Sequence, residues 1–145
     1  MKTLLPYIYS LLFMSFASCS IAQTEKDPWT EKQLMPPDSL AEILKNPSGK
    51  IPLILNIGPS GAIKNSIAIG EGRDKETIEK LRNKLLKIPK DTSIVIYCGC
   101  CPFVNCPNIR PVFKLLTEMK FTNPKLLNLP RNLKVNWIDR DFPMN

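Results

Sequence analysis

The sequence predicts an α/β fold of three layers, in which a central, mainly parallel sheet is flanked by helices. Short runs of apolar and β-branched residues alternate along the chain with segments whose apolar residues recur at helical spacing. The length of 145 residues suits a single domain. A hydrophobic content of 43% and a charged content of 23% are ordinary for a globular protein, which argues against a disordered chain or a membrane bundle.

Each predicted element has a local signal. The predicted strands are the apolar runs 52–57, 66–69, 92–97 and 125–129, of which 92–97 (TSIVIY) is the strongest because it is rich in β-branched residues. The predicted helices are 38–45, 74–88, 108–119 and 133–138, each with apolar residues three and four apart. Asp38 or Ser39 is expected to cap the first helix and Asn108 the third.

The first 22 residues resemble an export signal, with Lys2 as the positive region and an apolar stretch over 4–17. This stretch is shorter than the ~20 residues that span a bilayer. Two cleavage sites are compatible with the sequence: a small-x-small site at 20–22, or a lipobox that ends at Cys19. Either one predicts an exported protein, periplasmic or lipid-anchored to a bacterial envelope. Residues 23–36 are interpreted as a linker and residues 37–145 as the domain.

The net charge of +7 suits an anionic partner. Basic residues are nevertheless interspersed with acidic ones and are not interleaved with aromatic residues, so nucleic acid is not an expected partner. We expect the protein to associate with a membrane only through a lipid anchor. An anionic surface or a small anionic substrate is also compatible with this charge, but a solvated surface is the better interpretation.

Four cysteines lie within nine residues, between the strongest strand and the third helix, at Cys98, Cys100, Cys101 and Cys106. Parallel sheets bind ligands beyond the carboxyl ends of their strands, which is where this loop is predicted. The helix N-terminus and Arg110 in its first turn would stabilise a thiolate. The chain contains no histidine, which excludes a Cys–His dyad and every histidine-ligated metal site.

Three interpretations of the cysteine loop remain open. One nucleophilic cysteine could carry sulfur or thiol chemistry, with no cofactor. The four cysteines could instead hold a soft metal ion, although their spacing differs from that of structural zinc sites. Disulfides could also staple the loop in an oxidising compartment, for example Cys98–Cys106 or Cys100–Cys106.

Segments from about residue 37 to the C-terminus resemble the rhodanese-like sulfurtransferase family. Residues 38–44 (DSLAEIL) resemble the family's first helix, and 53–57 (LILNI) its strand that ends in Asp-x-Arg. Residues 61–69 (GAIKNSIAI) resemble the Gly-His-Ile-Pro-Gly-Ala-Ile motif, and 94–98 (IVIYC) the strand that delivers the nucleophilic cysteine. Closer to the end, 120–123 (KFTN) is similar to Gly-Phe-x-Asn, and the Trp137 and Phe142 regions are similar to the closing Trp and Gly-Tyr-Pro.

The resemblance implies a persulfide on Cys98 and a sulfur donor such as thiosulfate or a persulfide, with a thiol as acceptor. It implies that the loop cradles the substrate, which assigns binding to Gly99, Cys100, Cys101, Asn105 and Asn108. Arg110 would supply positive charge, and Cys106 is the rival nucleophile or a resolving partner. The chain departs from the family at Asn56-Ile57-Gly58, where Asp-x-Arg is expected, at Ala62, and in a longer loop with three further cysteines.

Overall fold

Parallel strands buried between helices form the centre of the computed structural model, which describes residues 26–145. The predictions for the export signal at 1–22, for Cys19 and for the first residues of the linker lie outside the described residues. Among the helices that the structure describes, none is long and apolar enough to cross a membrane.

The predicted α/β class is confirmed. The strands are β1 Leu34–Met35, β2 Leu53–Asn56, β3 Ser66–Ala68, β4 Ile94–Tyr97 and β5 Pro124–Leu127. The helices are α1 Pro37–Lys45, α2 Lys75–Leu85, α3 Ile109–Glu118 and α4 Leu133–Asn136. Within residues 26–145, all strand pairs of the sheet are parallel and the order is β1-β5-β4-β2-β3.

The sheet order creates a switch point between β2 and β4. The chain leaves β2 towards β3 on one side, and leaves β4 towards β5 on the other. Adjacent strands whose connections run in opposite directions leave a crevice at their carboxyl ends, where open α/β sheets bind ligands. The loops that follow Asn56 and Tyr97 therefore border this crevice.

Alternate residues of β4 supply two separate core layers. Ile94, Ile96 and then Cys98 pack with apolar residues of α2 and α3. Val95 and Tyr97 pack on the opposite face with residues of α1 and α4. The period of two along a strand therefore directs the Cys98 side chain towards the α3 layer.

The interpretation of residues 23–36 as a linker is wrong for the described part. Trp29 is 8% exposed, and its ring lies 5.8 Å from that of Phe113 and 6.1 Å from that of Phe103. Leu34 and Met35 pair in parallel with β5 and form the edge strand. A single apolar residue and a two-residue strand have no sequence period, so only tertiary contacts show that this segment belongs to the domain.

Two predicted caps are also wrong. The first helix begins at Pro37 with Pro36 as its N-cap, and neither Asp38 nor Ser39 caps it. The Asp38 carboxylate instead accepts hydrogen bonds from the Arg140 guanidinium, one of them at 2.9 Å. Asn108 occupies the N-cap position of α3, but its backbone is already helical and its side chain makes no cap hydrogen bond.

The last predicted strand and helix are shorter than expected. The strand begins one residue early, at Pro124, and ends at Leu127. The final helix ends at Asn136 and is followed by a short 3-10 helix, Ile138–Arg140. A side-chain cap fixes its start, because the Asn132 side chain accepts the Val135 N–H at 2.8 Å.

Candidate active site

Cys98 follows β4 directly, on the switch-point side of the sheet and close to the start of α3. Its location at the carboxyl end of a central strand is the one predicted from the sequence. The residue is 1% exposed, and Cys106 at the far end of the loop is fully buried. Cys100 is exposed and Cys101 is half-buried.

The chain turns tightly at Gly99, which has a positive φ of 76°. A Cβ at this residue would lie 2.7 Å from both the Leu133 Cβ and the Ser60 Oγ, so only glycine fits. The Gly99 carbonyl accepts the Leu133 N–H at 2.8 Å, and the Ser60 hydroxyl donates to the Cys98 carbonyl. The structure thus gives Gly99 a role in the turn that brings the thiols together.

The loop gathers thiols into one cluster. The Sγ atoms of Cys98 and Cys100 lie 3.2 Å apart, and those of Cys100 and Cys101 lie 3.3 Å apart. The sulfur atoms of Cys98, Cys100 and Cys106 are all within 4.8 Å of one another, a set that does not include Cys101. None of the four cysteines between residues 26 and 145 is in a disulfide, so neither of the bridges that the sequence left open is formed here.

Asn108 connects this cluster to the neighbouring loop. Its side-chain Nδ2 donates to the Cys98 Sγ at 3.4 Å, and its Oδ1 accepts the Arg73 N–H at 3.1 Å. The Arg73 amide fixes which end of the Asn108 side chain faces the sulfur, because only the oxygen can accept that bond. Asn108 is 2% exposed, so the bond to sulfur is shielded from water.

Hydrogen bonds favour the thiolate of Cys98 over those of Cys100 and Cys106. The Cys106 thiol donates to the Cys98 sulfur and is the main reason that the pKa of Cys98 is lowered to about 5; burial opposes this, and Asn108 and Cys100 add to it. The Cys106 thiol shares its proton with the Cys98 sulfur, and this hydrogen bond raises the pKa of Cys106. Burial, and then the contacts with Cys98 and Cys101, raise the pKa of Cys100 to about 12. At neutral pH the negative charge therefore lies on Cys98.

Gly58 leaves space for the Cys98 sulfur. The sequence analysis does not predict this role. A Cβ at Gly58 would lie 2.2 Å from the Cys98 Sγ. Asn56 shapes the turn that holds Gly58: its Oδ1 accepts the Gly58 N–H at 3.2 Å and its Nδ2 donates to the Ser60 carbonyl at 2.9 Å. The signal in the sequence was the departure from Asp-x-Arg at these same two positions.

The described contacts of Arg110 are made with residues outside the thiol cluster. Its guanidinium forms an ion pair with Asp27, donates to the Val104 carbonyl at 2.9 Å and lies 5.2 Å from the centre of the Trp29 ring. None of these three partners is a residue of the thiol cluster, and Asp27 balances the charge of Arg110. Asn105, also expected to bind substrate, is exposed in the 3-10 helix Phe103–Asn105.

Two cavities lie away from the cysteines. One of about 320 Å³ is lined by residues of α1 and of the turn that follows it, namely Ser39, Glu42, Ile43, Asn46 and Ser48. An apolar cavity of about 100 Å³ lies between α2 and the strands β2 and β3. At the cysteine cluster the solvent meets Cys100 first, since Cys98 and Cys106 are buried beneath it.

Comparison with protein-family models gave no match, and comparison with curated protein sequences gave none. The resemblance to rhodanese-like proteins therefore stays a prediction. The function proposed below rests on the residues of the site and their geometry.

Proposed function

We propose that the protein is a sulfurtransferase that carries a sulfane sulfur as a persulfide on Cys98. The observation that carries this proposal is the set of donors around the Cys98 Sγ, with Asn108 Nδ2 at 3.4 Å and the Cys100 thiol at 3.2 Å. The thiolate is the nucleophilic form of cysteine, and these donors favour it at neutral pH. The location at the switch point of a parallel sheet supports a ligand site.

The proposed reaction needs no cofactor. The Cys98 thiolate attacks the outer sulfur of a donor such as thiosulfate; a new S–S bond forms, the donor's S–S bond breaks, and sulfite leaves with the electron pair. An acceptor thiolate then attacks the outer sulfur of the persulfide and releases the Cys98 thiolate. The chain's net charge of +7 suits an anionic donor. We propose a thiol as the acceptor, and no nucleic acid.

Specific contacts favour two further candidates. The 3.2 Å separation of the Cys98 and Cys100 sulfur atoms favours a thiol–disulfide redox protein. The three sulfur atoms within 4.8 Å favour a site for a soft cation, zinc or copper(I). Metal–sulfur bonds of about 2.3 Å place thiolate ligands roughly 4 Å apart, which small side-chain movements would reach. Cys101 falls outside this set, so the four-cysteine site predicted from the sequence reduces to three ligands.

Intact mass spectrometry before and after thiosulfate tests the proposal. We expect wild-type protein and Cys101→Ser to gain one sulfur atom, and Cys98→Ser to gain none. Cys101→Ser is the matched control because it removes a thiol of the same loop that does not contact Cys98 in the structure. A wild-type mass that is two hydrogens lower would favour the thiol–disulfide redox protein. A mass raised by a metal ion would favour the site for a soft cation. An unchanged mass would contradict sulfur transfer from thiosulfate.

The proposed place of action is outside the cytoplasm, either in the periplasm or on the envelope through a lipid on Cys19. The same mass spectrum of protein purified from an envelope fraction reports the new N-terminus. Gln23 would indicate cleavage after residue 22, and a lipidated Cys19 the lipobox. An uncleaved chain would contradict export by either route.

A further inference from the structure

The cysteine that is activated and the cysteine that is accessible are different residues. Cys98 is 1% exposed and Cys106 is fully buried. Cys100 is exposed and lies in direct contact with Cys98, at 3.2 Å between sulfur atoms. An acceptor thiol larger than a few atoms can therefore reach Cys100 more readily than Cys98.

We propose that Cys100 is a second catalytic cysteine, which takes the sulfane sulfur from Cys98 and delivers it to the acceptor. This inference rests on the proposed persulfide on Cys98. It assigns the exposed thiol as the site at which a bulky thiol acceptor reacts. The thiol of Cys101 lies one further step outwards, at 3.3 Å from Cys100, and is not required.

The transfer step balances without any external oxidant or reductant. The Cys100 sulfur attacks the outer sulfur of the Cys98 persulfide anion, and a bond forms between these two atoms. The bond from that outer sulfur to the Cys98 Sγ breaks, and its electron pair stays on the Cys98 Sγ. The proton of the Cys100 thiol moves to the transferred outer sulfur. The products are the Cys98 thiolate and a protonated persulfide on Cys100.

The backbone keeps the two sulfur atoms together. Residues two apart in an extended chain lie on the same face but roughly 7 Å apart. The turn at Gly99, with its positive φ of 76°, brings the Cys98 and Cys100 sulfur atoms to 3.2 Å. The Leu133 N–H binds the Gly99 carbonyl at 2.8 Å, and Ser60 binds the Cys98 carbonyl. The contact between the thiols is thus fixed by three separate parts of the chain.

The environment of Cys98 directs the attack to the outer sulfur. Attack there expels the Cys98 thiolate, whereas attack on the Cys98 Sγ would expel hydrosulfide and leave a disulfide. In thiol exchange a more stabilised thiolate leaves faster. Asn108 Nδ2 donates to the Cys98 sulfur at 3.4 Å, so Cys98 is the better leaving group.

Discharge to two acceptors of different size tests the relay. Wild type, Cys100→Ser and Cys101→Ser are incubated with thiosulfate until Cys98 carries sulfur, as located by peptide mass spectrometry, and are then desalted. Each is mixed with glutathione, a tripeptide thiol, or with cyanide, a small ion that reaches Cys98 without the relay. Serine retains a hydroxyl that can donate to Cys98 but cannot carry sulfur, which makes Cys100→Ser a conservative variant.

We expect Cys100→Ser to lose sulfur to glutathione at least about tenfold more slowly than Cys101→Ser, because access to the attacked sulfur limits the rate. Cyanide should discharge all three proteins at similar rates, and wild type should carry some of the sulfur on Cys100. Equal glutathione rates for the two variants would overturn the relay but leave the Cys98 persulfide in place. A Cys98–Cys100 disulfide with released hydrosulfide would also overturn it. Wild type that never carries sulfur would overturn both proposals.

Discussion

Tyr97 and Cys98 are consecutive residues at the carboxyl end of β4, and both are buried, but on opposite faces of the sheet. Burial raises the pKa of Tyr97, which remains a neutral hydroxyl that accepts the Ile63 N–H at 3.0 Å and donates to the Gly61 carbonyl at 3.0 Å. Donors around Cys98 lower its pKa to about 5 against the same effect of burial. Two consecutive residues therefore have different roles: the Tyr97 hydroxyl binds backbone groups, and the Cys98 sulfur is reactive.

The difference between these two residues teaches that burial does not decide reactivity by itself. The Tyr97 hydroxyl both donates and accepts, so its partners are satisfied by the neutral form. The Cys98 sulfur is surrounded by groups that donate, and donors favour the charged form. Each of the following predictions changes a partner on one face and leaves the other face intact.

The largest expected effect is that of Asn108→Asp on the titration of Cys98. Aspartate still accepts the Arg73 N–H, but it removes a donor from the Cys98 sulfur and adds a like charge beside it. We expect the pKa of Cys98 to rise by about 2 units, which corresponds to about 3 kcal/mol. In wild type the thiolate should persist above a pH of about 5 and be lost as the pH falls through that value.

The measurement is the ultraviolet absorbance of the thiolate against pH, with the signal of Cys98→Ser subtracted. Asn105→Asp is the matched control, because it adds the same charge to an exposed position of the loop. An unchanged midpoint in Asn108→Asp would show that Asn108 does not set the charge on Cys98.

The next largest effect is that of Tyr97→Phe on stability. The change leaves the Ile63 N–H and the Gly61 carbonyl without the hydroxyl that both of them bind. We expect the free energy of unfolding to fall by about 2 kcal/mol in urea denaturation, since an unpaired buried polar group costs that much. The Cys98 titration should stay where it is. Ser66→Ala, which removes only the neighbouring hydroxyl at 3.1 Å, should cost less. A shifted Cys98 midpoint in Tyr97→Phe would show that the two faces are not independent.

The smallest expected effect is that of Arg110→Gln. The Arg110 guanidinium is engaged by Asp27, the Val104 carbonyl and the Trp29 ring, none of which belongs to the thiol cluster. We expect a loss of stability of at most about 1 kcal/mol and no change in the Cys98 titration. Arg131→Gln, at an exposed position, is the control for the loss of one positive charge. A raised Cys98 midpoint in Arg110→Gln alone would restore the role that the sequence assigned to Arg110.

Much of the fold could be predicted from the sequence because its signals are local. The run IVIY forms β4, and the apolar stripes of α2 and α3 lie where the 3.6-residue period placed them. The position of Cys98 also follows from a general rule, because the carboxyl ends of parallel strands face the ligand crevice. The rule applies once β4 and the helix after it are recognised.

The remaining features depend on contacts between distant parts of the chain. Trp29 is buried only because Phe103 and Phe113 surround it, so its own polar segment gives no signal. Gly58 matters because the Cys98 sulfur lies against it, forty residues away in the sequence. Asn108 is predicted from the sequence to cap α3 and to bind substrate, whereas its side chain in the structure contacts the Cys98 sulfur and the Arg73 N–H.

The edge strand β1 has a consequence for the order of folding. Leu34 of β1 pairs with Leu126 of β5. The first strand of the described chain can therefore join the sheet only after the last strand has formed. Synthesis runs from the N-terminus, and contacts so distant in sequence form late because closing a long loop costs entropy. Until β1 docks, the outer edge of β5 lacks its partner and can pair with another chain. Folding intermediates should therefore self-associate through the β5 edge, and dilution during refolding should raise the yield of native protein.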